Sequence, residues 1–161
     1  MATGTIILTV ESIKLPATNP VAIDAAETNW RLLFDATTDE AGWWQFRMPQ
    51  NYASAPVLKV QYSMASAITG AVYFQVQVMA VSDNDAADIN TESYDTANSG
   101  NATVPATAGY LDEISVTLTN ADTLAAGDYT KIRLNRDADN ASDTATGDAE
   151  VVAVSLEYTT I

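Results

Sequence analysis

Strict alternation of apolar and polar side chains is the feature that most limits the folds open to this chain. Residues 57–66 (VLKVQYSMAS) and residues 70–81 (GAVYFQVQVMAV) both show it. A period of two is typical of a β-strand with one apolar and one polar face. Such a strand must lay its apolar face against a second layer. The alternation therefore predicts a β-sandwich.

The end of the chain repeats this pattern. Two alternating runs, residues 128–136 and 150–159, flank a polar loop of Asp, Asn, Ala, Ser, Thr and Gly. They predict two antiparallel strands joined by a long connection. Residues 30–35 and 43–48 are separated by a polar turn, and this spacing predicts a hairpin.

Together these patterns predict an all-β fold, an eight-stranded antiparallel β-sandwich of the jelly-roll type, in one domain spanning residues 1–161. The expected strands are residues 3–15, 30–35, 43–48, 57–66, 70–82, 111–119, 128–136 and 150–159. One short helical turn is expected at residues 23–27, and a long polar loop at about 82–108. Because strand order does not follow from the sequence, an immunoglobulin-like sandwich is the alternative.

The charge balance excludes several classes of function. The chain has 21 acidic and 7 basic residues, a net charge of -14, and neither His nor Cys. Phosphate backbones would be repelled, so no nucleic acid partner is expected. Without His or Cys there is no Ser-His-Asp or Cys-His catalysis and no zinc-thiolate site. We therefore predict no enzymatic activity and no cofactor, although paired carboxylates remain chemically open.

One uncharged stretch, residues 60–82, resembles a membrane span in composition. Gln61, Gln75 and Gln77 stand at every-other spacing within it, and Gly70 interrupts it. This arrangement favours two strands and a turn over a transmembrane helix. No membrane partner is expected, and the N-terminus lacks the basic region of a secretory signal.

Adjacent tryptophans mark the first candidate interface. Trp43 and Trp44 must point to opposite faces of a strand, so one lies away from the core. The outward ring, with Tyr52 or Tyr73 nearby, is suited to stack on a sugar, to form a protein contact, or to lie under the long loop. The outward side of residues 70–81 has too few charges for a solvated face, so it is covered by the loop at 82–108 or by another copy of the chain. The possible interface residues are Trp43, Trp44, Tyr73, Gln75, Gln77 and Met79.

The loop at residues 137–148 is the candidate metal site. Asp137, Asp139, Asn140 and Asp143 have the spacing at which oxygen ligands are presented to calcium. The loop lacks the closing Glu of an EF-hand. The alternative is a solvated acidic turn in which the neighbouring arginines pair with Asp, and on this interpretation no metal is bound.

The ending GDYTKIRLNRDADNASDTATGDAEVVAVSLEYT resembles the C-terminal strands of small structural proteins of tailed phages. The resemblance is most specific over residues 121–159. It implies a capsid cement or decoration protein, a homotrimer on the outer surface of the virion, bound to the major capsid protein or another virion protein. It carries no catalytic residues. The alternative is a tail, collar or fibre component that acts as a carbohydrate-binding or host-attachment module.

Overall fold

The chain forms two antiparallel sheets. The computed structural model describes residues 2–25 and 29–161. Ten strands lie in this part of the chain, with one 3-10 turn at Val10–Ser12. The strands are β1 (Thr3–Leu8), β2 (Ala22–Asp24), β3 (Arg31–Phe34), β4 (Glu40–Arg47), β5 (Tyr52–Met64), β6 (Ala71–Val81), β7 (Asn98–Thr103), β8 (Asp112–Thr117), β9 (Tyr129–Arg136) and β10 (Ala149–Thr160).

The larger sheet has the order β2-β3-β10-β5-β8, and β1 also pairs with β10. β10 is its central strand, since it pairs with β5 along one edge and with β3 and then β1 along the other. The smaller sheet has the order β4-β9-β6-β7. This all-β, two-sheet architecture confirms the predicted sandwich.

The core lies between the two sheets and contains the apolar side of each alternating run. Val60 of β5 and Val76 of β6 are fully buried. The Phe34 ring of the larger sheet meets the Phe74 ring of the smaller one edge to face, with 5.4 Å between ring centres. The apolar residues of the alternating runs are thus the ones that face the core, where every second side chain is removed from water.

The predicted number of eight strands is not confirmed, because short strands lie where loops were expected. β7 lies inside the predicted polar loop at 82–108, and β2 includes Ile23 and Asp24 of the predicted helical turn. Residues 26 and 27 of that turn are outside the described residues. The strand predicted at 3–15 ends at Leu8. β2 and β7 are edge strands held by backbone pairing with β3 and β6, so neither needs the apolar alternation by which strands are recognised.

Both predicted pairings between sequence neighbours are wrong. β3 and β4 belong to different sheets, and so do β9 and β10. Their polar connections cross from one sheet to the other at the ends of the sandwich instead of making hairpins. The stretch at 60–82 also changes sheet, between β5 and β6, and it is two strands with a turn as predicted. The described residues include no helix with the length and apolarity that a membrane crossing requires.

A buried arginine anchors the connection between β9 and β10. Arg136 is fully buried, and its guanidinium donates two hydrogen bonds to the Asp143 carboxylate, at 2.9 and 2.8 Å. It also donates to the carbonyl oxygens of Ala145, Gly147 and Phe34. These bonds occupy all five donors of the side chain. Arg136 therefore ties the crossing loop to both sheets.

Candidate functional site

The outer face of the smaller sheet contains the candidate site. The register aligns Trp43 of β4 with Arg133 of β9, and the next outward pair is Gln45 with Lys131. We call the outward residues of these two strands the aromatic face. They are Trp43, Gln45 and Arg47 of β4 and Tyr129, Lys131 and Arg133 of β9.

A lysine lies between the two rings of this face. Lys131 Nζ is 5.3 Å from the centre of the Trp43 ring and 5.8 Å from that of Tyr129. It also donates a hydrogen bond of 3.1 Å to the carbonyl oxygen of Ile89. The Tyr129 hydroxyl donates to Gln45 Oε1 at 3.1 Å. These cation–π contacts and hydrogen bonds hold both rings in place on a rigid sheet.

A cleft of about 590 Å³ continues from this face at the Tyr129 end. Arg47 and Tyr129 line it, together with residues of the loop after β6 that include Asp83 and Asp85. Arg47 Nε donates to the carbonyl oxygen of Gly127 at 3.0 Å, which fixes the base of its guanidinium. The volume falls within the range of small-ligand sites in proteins, about 300–1,000 Å³.

Part of the loop between β6 and β7 packs along β6. Asp95 donates its backbone N–H to the carbonyl oxygen of Val78, and Gln77 Nε2 donates to the carbonyl oxygen of Asp95. Tyr94 in this segment is half-buried, and burial raises its pKa. The outward side of β6 is therefore in contact with the loop at 82–108, which was one of the two predicted covers of this side.

The two adjacent tryptophans take opposite roles. Trp43 is half-buried on the aromatic face, whereas Trp44 is only 1% exposed and donates its ring N–H to the carbonyl oxygen of Thr9. Met79 is also fully buried, although its parity is outward, and we attribute this to the covering loop. As a correction to the predicted interface, Trp44 and Met79 offer no surface to a partner.

The remaining predicted interface residues lie along β6. Tyr73, Gln75 and Gln77 are half-buried on its outer side. Gln77 accepts a hydrogen bond from Arg133 at 2.8 Å and so borders the aromatic face, whereas Gln75 donates to the Asp137 carboxylate. Tyr73 lies four residues, about 13 Å, further along the strand. Tyr52 is buried beside Tyr158. Neither Tyr52 nor Tyr73 therefore forms a platform with Trp43.

The β9 half of the aromatic face was not predicted from the sequence. Tyr129 and Gln45 are 84 residues apart in the chain. The sequence showed that Gln45 and Arg47 lie on the same side of the strand as Trp43. It did not show that β9 is the neighbouring strand. The predicted hairpins also paired β4 with β3 and β9 with β10, which lie in different sheets.

The structure brings together three of the four predicted calcium ligands, Asp137, Asp139 and Asn140, but not Asp143. Asp143 is bound to Arg136, and Asn140 donates its amide to Asp137. The cluster that does form consists of Asp39, Asp137 and Asp139, with carboxylate oxygens within 4.8 Å of one another. A hydrogen bond with Asp137, and the negative charge of Asp39, raise the pKa of Asp139. Since Asp39 already accepts the backbone N–H of Ala138, we interpret the cluster as a loop contact and assign no metal to it.

Comparison with known proteins identifies the fold. No protein family and no curated protein matches the sequence. Among solved structures, the family 35 carbohydrate-binding module from Clostridium thermocellum aligns with 95% of this chain and 97% of its own, at 10% identity and a TM-score of 0.55. The CBM35 of Cellvibrio japonicus Abf62 covers 95% and 92%, at 6% identity and a TM-score of 0.54. The xylan-binding module CBM15 covers 99% of both chains, at 11% identity and a TM-score of 0.52. At such identities the similarity establishes a shared fold.

Proposed function

We propose that this chain is a non-catalytic carbohydrate-binding module and that the aromatic face binds the sugar. The observation that carries the proposal is the pair of rings, Trp43 and Tyr129, held on either side of Lys131 beside an open cleft. The shared fold with carbohydrate-binding modules supports the same function.

The chemistry of the face suits a sugar. An aromatic ring combines a flat apolar surface with a polar edge, which matches the apolar face and equatorial hydroxyls of a pyranose. Gln45, Arg47 and Arg133 surround the rings with amide and guanidinium donors for hydroxyl oxygens. All of these groups stand on paired strands, so little conformational entropy is lost on binding.

A non-catalytic role follows from the separation of the acidic groups. The chain has no His or Cys. The Asp39 cluster lies eight residues along β4 from Arg47, about 26 Å from the cleft end of the face. Asp83 and Asp85 also line the cleft, but both belong to the loop after β6 and not to the aromatic face. We therefore assign the cleft a binding role.

The test is isothermal titration calorimetry against xylan, β-glucan, mannan and pectin oligosaccharides. Trp43→Ala and Tyr129→Ala should each weaken binding at least tenfold, because loss of a central aromatic contact typically costs about 2 kcal/mol or more. Trp30→Ala is the matched control, since Trp30 is 46% exposed and lines a cleft on the outer side of the larger sheet. Unfolding curves establish that each variant is folded. Equal losses in Trp30→Ala and Trp43→Ala would contradict the assignment of the site.

Attachment to a virion as a capsid cement protein is our second proposal. Its support is the phage-like ending and the apolar side chains Ile7, Leu15 and Trp30, which are 67%, 46% and 46% exposed. Such exposed apolar groups suit a protein contact. Light scattering at micromolar concentration should then give three times the chain mass. A monomer would count against the trimeric cement protein.

A further inference from the structure

We infer that the sugar bound by the aromatic face is anionic, with a carboxylate or sulfate group on the ring. This inference rests on the proposed function and concerns the class of its ligand. It comes from the distribution of the few positive charges in a chain whose net charge is -14.

The seven basic residues fall into two groups. Arg31, Lys59 and Arg136 form ion pairs with Asp or Glu. The other four form no ion pair with any residue that the structure describes, and they lie together. Three of them, Arg47, Lys131 and Arg133, belong to the aromatic face. The fourth, Lys14, is paired through its backbone with Trp43 at the edge of the same face.

The cations of the face keep most of their donors. Arg133 donates one hydrogen bond to Gln77, Lys131 donates one to Ile89, and Arg47 donates one to Gly127. A guanidinium has five N–H donors and an ammonium has three. Each of these side chains therefore retains donors for a ligand, and charged donors bind an anionic oxygen more strongly than a hydroxyl.

The strand residues aligned around these cations include no Asp or Glu. The three aligned rows are Trp43, Arg133 and Gln77; Gln45, Lys131 and Met79; and Arg47, Tyr129 and Val81. The acidic residues that line the cleft, Asp83 and Asp85, both lie in the loop after β6. The anionic group of the sugar therefore faces Lys131 and Arg133, and neutral hydroxyls face the loop.

Net charge does not override this local arrangement. At physiological ionic strength the Debye length is about 8 Å, so acidic residues elsewhere on the surface are largely screened. A long polyanion would still meet the acidic surface beyond the face. The inference therefore applies to a short segment of chain, and short oligosaccharides are the right probes.

The decisive experiment compares ligands that differ only in charge. The galacturonic acid trimer and its full methyl ester share one backbone, and titration calorimetry measures both. We expect the acid to bind at least tenfold more tightly than the ester. A sulfated oligosaccharide and its unsulfated form, measured in parallel, distinguish sulfate from carboxylate as the anionic group.

Variants assign the preference to the face. Lys131→Gln should reduce the advantage of the acid over the ester, taken as the ratio of the two affinities, at least fivefold. Lys59→Gln is the matched control, because it removes one positive charge from the larger sheet, where Lys59 pairs with Glu113. It should leave both affinities unchanged. Arg47→Gln is the second test and avoids the contacts of Lys131 with the rings.

The outcomes separate the two proposals. Equal binding of acid and ester, together with equal binding of the sulfated and unsulfated forms, would overturn the inference and leave the carbohydrate-binding function in place. The inference also fails, and the function again stands, if Lys131→Gln and Lys59→Gln behave alike. Failure of every neutral and anionic sugar to bind would overturn the proposed function and, with it, the inference.

Discussion

Removal of the Arg136 guanidinium should be among the most damaging single changes in this fold. Arg136→Met keeps much of the side-chain volume but leaves the Asp143 carboxylate, 1% exposed, without its partner. It also removes the donor from three carbonyl oxygens. Loss of one partner from a buried ion pair typically costs about 3–5 kcal/mol.

That loss is large compared with the stability of a domain. Folded domains are stable by only about 5–15 kcal/mol, so Arg136→Met should lose about a fifth or more of the total. For a chain of this size each kcal/mol shifts the melting temperature by about 2–4 °C, which predicts a decrease of about 6–20 °C. Urea unfolding followed by the fluorescence of the buried Trp44 gives the free energy directly.

Two further variants test whether the unpaired buried charge of Asp143 causes this loss. Lys59→Met breaks an ion pair whose Lys and Glu side chains are 26% and 39% exposed, and it should cost no more than about 1 kcal/mol. Arg136→Met combined with Asp143→Leu removes the uncompensated charge, so it should recover part of the loss. If Arg136→Met stays within about 1 kcal/mol of the wild type, the clamp formed by Arg136 is not a principal source of stability.

Two smaller predictions concern backbone strain and pH. Gly70 has φ +91, and a Cβ there would lie 2.6 Å from the Thr144 carbonyl oxygen, whereas Gly109 has φ +79 and open space around it. Gly109→Ala should lower the free energy of unfolding by about 1 kcal/mol because of backbone strain, and Gly70→Ala should lower it clearly more. Equal losses in urea unfolding would show that the contact with Thr144 is unimportant. Burial, with the negative charges of Asp35 and Asp148, raises the pKa of Glu40. Ionised Glu40 therefore favours the unfolded state, and Glu40→Gln should gain stability over the wild type as pH rises from 3 to 7. A constant difference across that range would contradict this sign.

The sequence was informative wherever burial alone decides the structure. Leu58, Val60, Tyr62 and Met64 alternate because one side of β5 faces the core, and this pattern predicted the sandwich. The same parity predicted that one of the two adjacent tryptophans would be buried, and Trp44 is. Short edge strands such as β2 were not predictable, because their stability comes from backbone pairing.

Strand partners were the main obstacle to predicting the site. Hairpins are the common short connection, yet here the chain crosses between sheets after β3 and after β9. The site combines a tryptophan of β4 with a tyrosine and two cations of β9, and their alignment depends on pairing between distant segments. Their local sequences contain no sign of that pairing. The alternation in residues 128–136 and 150–159 predicted two strands correctly, but it predicted neither the sheet of each strand nor the residues opposite Trp43.

We propose that the aromatic face binds carbohydrate. The NMR signals of the indole N–H groups of the three tryptophans test this directly. Trp43 lies on the face, Trp44 is buried with its N–H bonded to Thr9, and Trp30 is exposed outside the face. In a two-dimensional ¹⁵N–¹H NMR titration with the tightest-binding oligosaccharide, the Trp43 signal should move in a saturable manner. The signal of Trp30 should stay in place. Movement of Trp30 with a stationary Trp43 would show that the sugar binds elsewhere and would contradict the account.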